Sequence, residues 1–118
     1  MNKDLTEISS LAKSFAINLS EGKYREAHEL FTDALQLIYS PEWLRENYIE
    51  MIDYGDGPPT YIDIGSVDSM EGWATYKEGD VGHAYVIIMG DGFSEAVALF
   101  FKEEHGQPKI REIEWGRP

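Results

Sequence analysis

The chain of 118 residues contains no cysteine. This absence excludes disulfides, thiolate metal sites and a cysteine nucleophile, and it fits the reducing cytoplasm where we expect the protein to work. Long hydrophobic runs are also missing, since none approaches the roughly 18 residues of a membrane-spanning helix. Residues 1–7 are charged and lack the apolar core of a secretory signal. We therefore predict a soluble cytoplasmic protein whose length corresponds to one domain, residues 1–118.

Basic residues are scarce, with 10 Lys and Arg against 22 Asp and Glu, so the formal net charge is −12. Binding to phosphate backbones needs basic side chains, which argues against nucleic acid as a direct ligand. The same charge argues against anionic membranes. It suits a basic protein partner, because opposite fields speed association and help to select partners. Solubility alone is the competing explanation of the charge.

Histidine occurs only three times, at positions 28, 83 and 105, and no pair has the spacing of metal ligands on a helix. The segment 53–57 superficially suggests a calcium loop, but its twelfth position holds Ile64 instead of a glutamate. No serine lies on a recognisable nucleophile elbow. The sequence therefore predicts no metal, no cofactor and no catalytic residue.

Apolar residues recur at helical spacing through the first half of the chain. They predict one helix over 5–19 that ends near Gly22, a second over 24–38, and a third that Ser40 caps and Pro41 begins. The apolar face of the second helix is expected to consist of Tyr24, Ala27, Phe31, Ala34 and Ile38, broadened by Leu30 and Leu37.

Strand patterns begin at about Tyr61 and predict segments 60–67, 73–77, 83–89, 93–103 and 109–115. The third and fourth are apolar without alternation, so both faces of the sheet need cover. Short turns between strands favour an antiparallel meander. We therefore predict an α+β domain in which N-terminal helices pack on a curved antiparallel sheet of four to six strands. The other face would meet a cavity, a partner or a second copy of the chain.

The opening of the second helix carries a resemblance to a known family. Gly22, Tyr24, Ala27, Leu30 and Phe31 fit the helix–turn–helix opening of the nuclear transport factor 2-like superfamily, also called the cystatin-like cone. The resemblance covers nearly the whole chain and implies a cone-like roll, in which a bent sheet wraps around the helices. Members include isomerases, dehydratases, transport adaptors, dimerising domains and bacterial immunity proteins, so the resemblance implies a fold and leaves function open.

Three functions are compatible with these observations. The leading one is a non-catalytic acidic protein-binding domain, specifically an immunity protein that neutralises a toxin such as a nuclease by direct binding. Its predicted partner-binding residues lie on the third helix and its exit loop: Glu46, Glu50, Asp53, Tyr54 and Asp56. The alternative is a small-molecule binder or isomerase that uses a pocket with His28, Tyr48 and Tyr85. The third is a scaffold that forms a homodimer through the sheet face.

Overall fold

The computed structural model describes residues 2–52, 59–70, 76–90 and 92–116. It is an α+β arrangement of four helices followed by a curved, open, four-stranded antiparallel sheet, which confirms the predicted fold class. The elements in chain order are α1 (Asn2–Ser20), α2 (Tyr24–His28), α3 (Asp33–Ile38), α4 (Pro41–Ile52), β1 (Pro59–Asp68), β2 (Asp80–Gly90), β3 (Phe93–Glu104) and β4 (Gln107–Gly116).

Helix α1 supplies the centre of the core, as its apolar spacing predicts. Ile8, Ala12, Phe15 and Leu19 are all fully buried, and the helix packs on β1 and β2. Gly22 follows the helix with a φ of 77°, the left-handed conformation that glycine adopts most readily. The predicted end of the first helix is therefore confirmed.

The predicted second helix over 24–38 is wrong, because it breaks after His28 and resumes at Asp33. Between the two helices the backbone pairs with the edge of the sheet: the Ile110 N–H donates to Leu30 O, and the Thr32 N–H donates to Ile110 O, each at 2.8 Å. The Thr32 side chain then caps α3 by accepting from the Leu35 N–H at 3.2 Å. Tertiary hydrogen bonds and a cap thus override continuous helical periodicity.

The break changes which side chains of the segment are buried. Ala27 and Phe31 are fully buried as predicted, and Leu35 joins the core. Leu37 and Ile38, which were predicted to be buried, are 89% and 67% exposed. Helix α3 therefore presents apolar side chains to solvent.

Helix α4 starts as predicted, with Pro41 in its first position and the Ser40 hydroxyl accepting from the Trp43 N–H at 3.0 Å. Leu44 and Tyr48 are its buried residues and join the core that α1 forms. The helix thereby keeps one long side free for solvent.

The four strands pair in the order β1-β2-β3-β4, so the predicted meander is confirmed. The predicted strand 73–77 falls largely on residues outside the described ones, and Tyr76 and Lys77 are not in a strand. Alternate residues of the central strands face the helices and belong to the core: Ala84, Val86 and Ile88 on β2, and Val97, Leu99 and Phe101 on β3.

The second face of the sheet is also largely apolar, as predicted, and an ion pair lies on part of it. Ala96 and Phe100 are nearly buried there. The Arg111 guanidinium lies 5.4 Å above the Phe100 ring and binds the Asp80 carboxylate in bidentate fashion, with distances of 2.6 and 2.8 Å. This charged pair is part of what packs on the apolar surface opposite the helices.

Close packing of α1 on β2 at Gly82 gives a testable prediction. An added Cβ at Gly82 would lie 2.7 Å from Ile8 Cδ1 and 3.1 Å from Asp68 O. We expect Gly82→Ala to lower the free energy of unfolding by about 1–3 kcal/mol, because Ile8 must move within a packed core. In an Ile8→Val background, which lacks Cδ1, the same substitution should cost less. Urea unfolding of the four proteins measures this coupling, and strictly additive losses would contradict it.

Candidate functional site

The predicted partner-binding residues fall on and after α4. Glu46 and Glu50 are exposed on the helix, whereas Asp53, Tyr54 and Asp56 lie outside the described residues. Glu42 is exposed one turn before Glu46, so three glutamates at intervals of four run along one side of the helix. The described part of the prediction is thus an acidic, solvent-facing stripe.

Exposed apolar residues occur in the sequence both just before this stripe and between its glutamates. Ile49 is 40% exposed on α4, and Leu37 and Ile38 come from α3, immediately before α4 in the chain. Helices α3 and α4 together carry four acidic residues and a single basic one, Arg45. We call this region the α3–α4 surface; it consists of Ala34, Leu37, Ile38, Glu42, Glu46, Ile49 and Glu50.

Helix α3 is held at both of its ends. At its start, the Asp33 N–H donates to the Glu104 carboxylate at 2.7 Å, and His105 Nε2 lies 3.0 Å from Asp33 Oδ2. Beyond its end, His28 Nε2 lies 2.7 Å from Tyr39 O and 3.3 Å from Gln36 O. Both partners of His28 are carbonyls, so its Nε2 must carry the proton. The apolar side chains of α3 are therefore presented by an anchored helix.

Asp33, Glu104 and His105 are also the one group in the described part of the chain whose ligand atoms lie close enough to share a metal ion, within 4.8 Å of one another. The hydrogen bond to Asp33, followed by the charge of that carboxylate, raises the pKa of His105 above its ordinary value. Protonated His105 is an ion-pair partner for Asp33. The closeness of the three side chains is therefore explained by their role in holding the start of α3.

The three residues predicted to line a pocket do not converge. His28 is engaged with backbone carbonyls at the end of α3. Tyr48 is 2% exposed in the core, where burial, followed by the nearby Tyr24, raises its pKa well above the ordinary value and makes it a poorer proton donor. Tyr85 alternates with the core residues Ala84 and Val86 and so lies on the opposite face of the sheet.

A different pocket, of about 360 Å³, opens between α4 and one end of the sheet. We call it the Glu95 pocket, because Glu95 is only 5% exposed and projects from the core-facing side of β3. The alternation of Val97, Leu99 and Phe101, extended back by two residues, could have identified Glu95 from the sequence. The pocket is lined by Asn47, Glu50 and Met51 of α4, by Glu95, and by Trp115 and Gly116 of β4.

Comparison of the chain with family models, curated proteins and solved structures gave no match. The likeness to the nuclear transport factor 2-like superfamily therefore stays a prediction. Among the described helices, none combines the length and the apolarity needed to cross a membrane. The α+β fold defines a structural class, and function has to be inferred from the α3–α4 surface and the Glu95 pocket.

Proposed function

We propose that the protein is a non-catalytic binding domain that docks a basic protein through its α3–α4 surface. The observation that carries the proposal is the exposure of Leu37 and Ile38, 89% and 67%, on a helix anchored at both ends. Exposed apolar side chains beside charged ones are the usual composition of an interface centre and its rim. A preformed helix also loses little conformational freedom on binding.

Charge identifies the chemistry of the partner. The acidic residues Glu42, Glu46 and Glu50 are exposed on α4, the helix that follows α3 in the chain, and the whole chain carries a net charge of −12. A partner with an apolar centre and a basic rim would be attracted over a distance, whereas two copies of this chain would repel each other. The resemblance implies one such partner, a toxin with a cationic nuclease groove, in which case the domain acts as its immunity protein.

A photo-reactive amino acid placed at Leu37 tests the proposal in cells of the source organism. The expected product is a cross-link to one basic protein, absent when the same group replaces the exposed Ser14 on α1. The captured protein is then identified by mass spectrometry, purified and titrated against the domain. We expect Leu37→Asp to weaken binding at least about tenfold, because it places a charge in the interface centre.

Two double charge reversals, one on the α3–α4 surface and one elsewhere, test the role of the acidic residues. Glu42→Lys with Glu46→Lys should weaken binding about tenfold or more and reduce its salt dependence. Glu78→Lys with Glu103→Lys changes the net charge equally, at exposed positions that are not part of the α3–α4 surface, and should leave the affinity nearly unchanged. Equal losses in both double variants would show that only overall charge matters and would overturn the surface assignment.

A second copy of the chain is the alternative to a basic protein at this exposed apolar surface. Light scattering after size-exclusion chromatography distinguishes the two. We expect the mass of one chain, 13.4 kDa. Twice that mass, returning to one chain with Leu37→Asp, would replace the basic partner with a second copy. A dimer insensitive to Leu37→Asp but lost on substitution of Tyr85 would favour the sheet-face scaffold.

A further inference from the structure

We propose that a groove between α2 and α4 binds a phosphate monoester. We call it the α2–α4 groove; its charged lining residues are Lys23, Arg25, Glu26, Glu42 and Arg45. Its volume of about 230 Å³ is below the roughly 300–1,000 Å³ of sites for drug-sized ligands, so it suits a small anionic group. It is distinct from the Glu95 pocket, whose glutamate already has an interaction partner.

Basic residues are concentrated in this groove although the chain as a whole is acidic. The sequence contains only 10 Lys and Arg, and three of them line the groove: Lys23, Arg25 and Arg45. They come from two separate segments of the chain, which the packing of α2 on α4 brings together. Because salt screens exposed charges beyond about 8–10 Å, these nearby cations can attract an anion to a protein that is negative overall.

The two arginines of the groove are available to a ligand. Arg111, by contrast, is bound by the carboxylates of Asp80 and Glu112. Within the part of the chain that the structure describes, no hydrogen bond or ion pair engages the guanidinium of Arg25 or of Arg45, and both residues are exposed. An anion would therefore gain two guanidinium groups without displacing a partner of either one.

The donors of the groove match a phosphate better than a carboxylate. Each guanidinium presents a rigid fork of N–H groups that binds two oxygens of an oxyanion. A phosphate monoester offers three terminal oxygens and a charge of about −1.5 to −2 at pH 7, whereas a carboxylate offers two oxygens and a single charge. Arg25 on α2 and Arg45 on α4 can both be engaged by three oxygens, while a carboxylate is filled by one fork.

Two glutamates of the groove give the proposal an effect of opposite sign. Glu26 and Glu42 are exposed there, and their charges repel a phosphate. Glu42→Gln should therefore strengthen phosphate binding about two- to threefold, the effect of a single exposed charge. Glu42 also belongs to the α3–α4 surface, where loss of its charge should weaken attachment of a basic protein. The same substitution thus has opposite expected effects on the two proposed ligands.

The test is titration of the ¹⁵N-labelled protein with glycerol 2-phosphate at low salt, with glycerol as the neutral counterpart. We expect saturable shifts of the Gly22 and Tyr24 backbone N–H signals with the phosphate and none with glycerol. Arg25→Gln and Arg45→Gln should each weaken binding at least about tenfold. Arg45→Lys should retain only part of the affinity, because an ammonium group lacks the fork. Lys13→Gln changes the net charge equally, at an exposed position on α1 outside the groove, and should leave the affinity nearly unchanged.

Two sources could supply the phosphate, and a peptide distinguishes them. Tighter binding of glycerol 2-phosphate than of a blocked Gly-phosphoserine-Gly peptide identifies a small molecule, and the reverse order identifies a phosphorylated protein. Tighter binding of a blocked Gly-Asp-Gly peptide than of its phosphoserine counterpart overturns the proposal. Full affinity in both arginine variants, or an equal loss in Lys13→Gln, overturns it too. Because Arg25 and Arg45 are exposed, we expect both variants to fold. The cross-linking experiment at Leu37 involves neither arginine, so either proposal can fail without the other.

Discussion

Arg111→Met should lower the free energy of unfolding by about 3–5 kcal/mol, the usual cost of leaving a buried charge without its partner. The Asp80 side chain is 0% exposed and that of Arg111 is 10% exposed, so water cannot replace the missing guanidinium. The carboxylate also accepts from the Lys77 N–H, at 2.8 Å. Methionine keeps much of the arginine stem's length and packing over Phe100, which isolates the loss of charge.

The pH dependence of this loss has a defined sign. In the native protein burial acts to raise the pKa of Asp80, but Arg111 and the Lys77 N–H outweigh it and hold the pKa below its ordinary value. The ionised carboxylate therefore stabilises the fold above the unfolded pKa and ceases to do so as the pH falls through the lowered folded value. Without Arg111, burial dominates and raises the folded pKa, so protonation relieves the variant. The difference between variant and native protein should shrink from pH 7 toward pH 4.

Urea unfolding at several pH values measures both effects. Glu112→Gln is the matched control, because Glu112 also binds Arg111, at 2.9 Å, but is 46% exposed; we expect it to change stability by less than about 1 kcal/mol. The double variant Asp80→Asn with Arg111→Met should recover part of the loss, since it removes the buried charge. A loss in Arg111→Met that is small and independent of pH would mean that the pair is solvated.

Phe31→Ala should cost about 3–5 kcal/mol, as expected for truncating a fully buried aromatic side chain. Phe31 lies at the break between α2 and α3, with its ring 5.8 Å from Phe15 and 5.7 Å from His28. Its backbone forms a parallel bridge with Ile110 of β4. The substitution therefore leaves a cavity where α1, the helix break and the sheet edge meet.

The matched control is Leu37→Ala, which also removes an apolar side chain from the segment predicted as one helix. Leu37 is 89% exposed, so we expect a change within about 0.5 kcal/mol. Thermal or urea unfolding of both variants checks the contrast. Similar losses at the two positions would indicate a continuous helix that buries both, and would contradict the observed break.

Local signals in the sequence predicted most of the fold. The Ser40–Pro41 start of α4, the Gly22 terminus of α1 and the short turns of the meander each depend on residues next to one another. The break at Thr32 was not predictable in this way, because helical spacing continues through it. Its cause is hydrogen bonding with Ile110, which is almost eighty residues away in the chain.

The candidate site was predicted only in part, for the same reason. The acidic stripe of α4 follows from sequence spacing, and Glu46 and Glu50 are exposed on it. The exposure of the apolar side chains of α3 accompanies the break in the helix, which helical spacing did not predict. Glu95 could have been recognised by strand alternation, but the pocket that it lines requires α4 and β4 to meet β3, which no local pattern reveals.

The packing of α1 on β1 and β2 has a consequence for how the chain is made. The ribosome completes α1 some seventy residues before it completes β2, the second of the strands that cover the apolar side of α1. At synthesis rates of about 5–20 residues per second, that interval is on the order of 4–14 s. During it, Phe15 and Leu19 lack their final cover, so the nascent helix is a natural binding site for chaperones that recognise apolar segments.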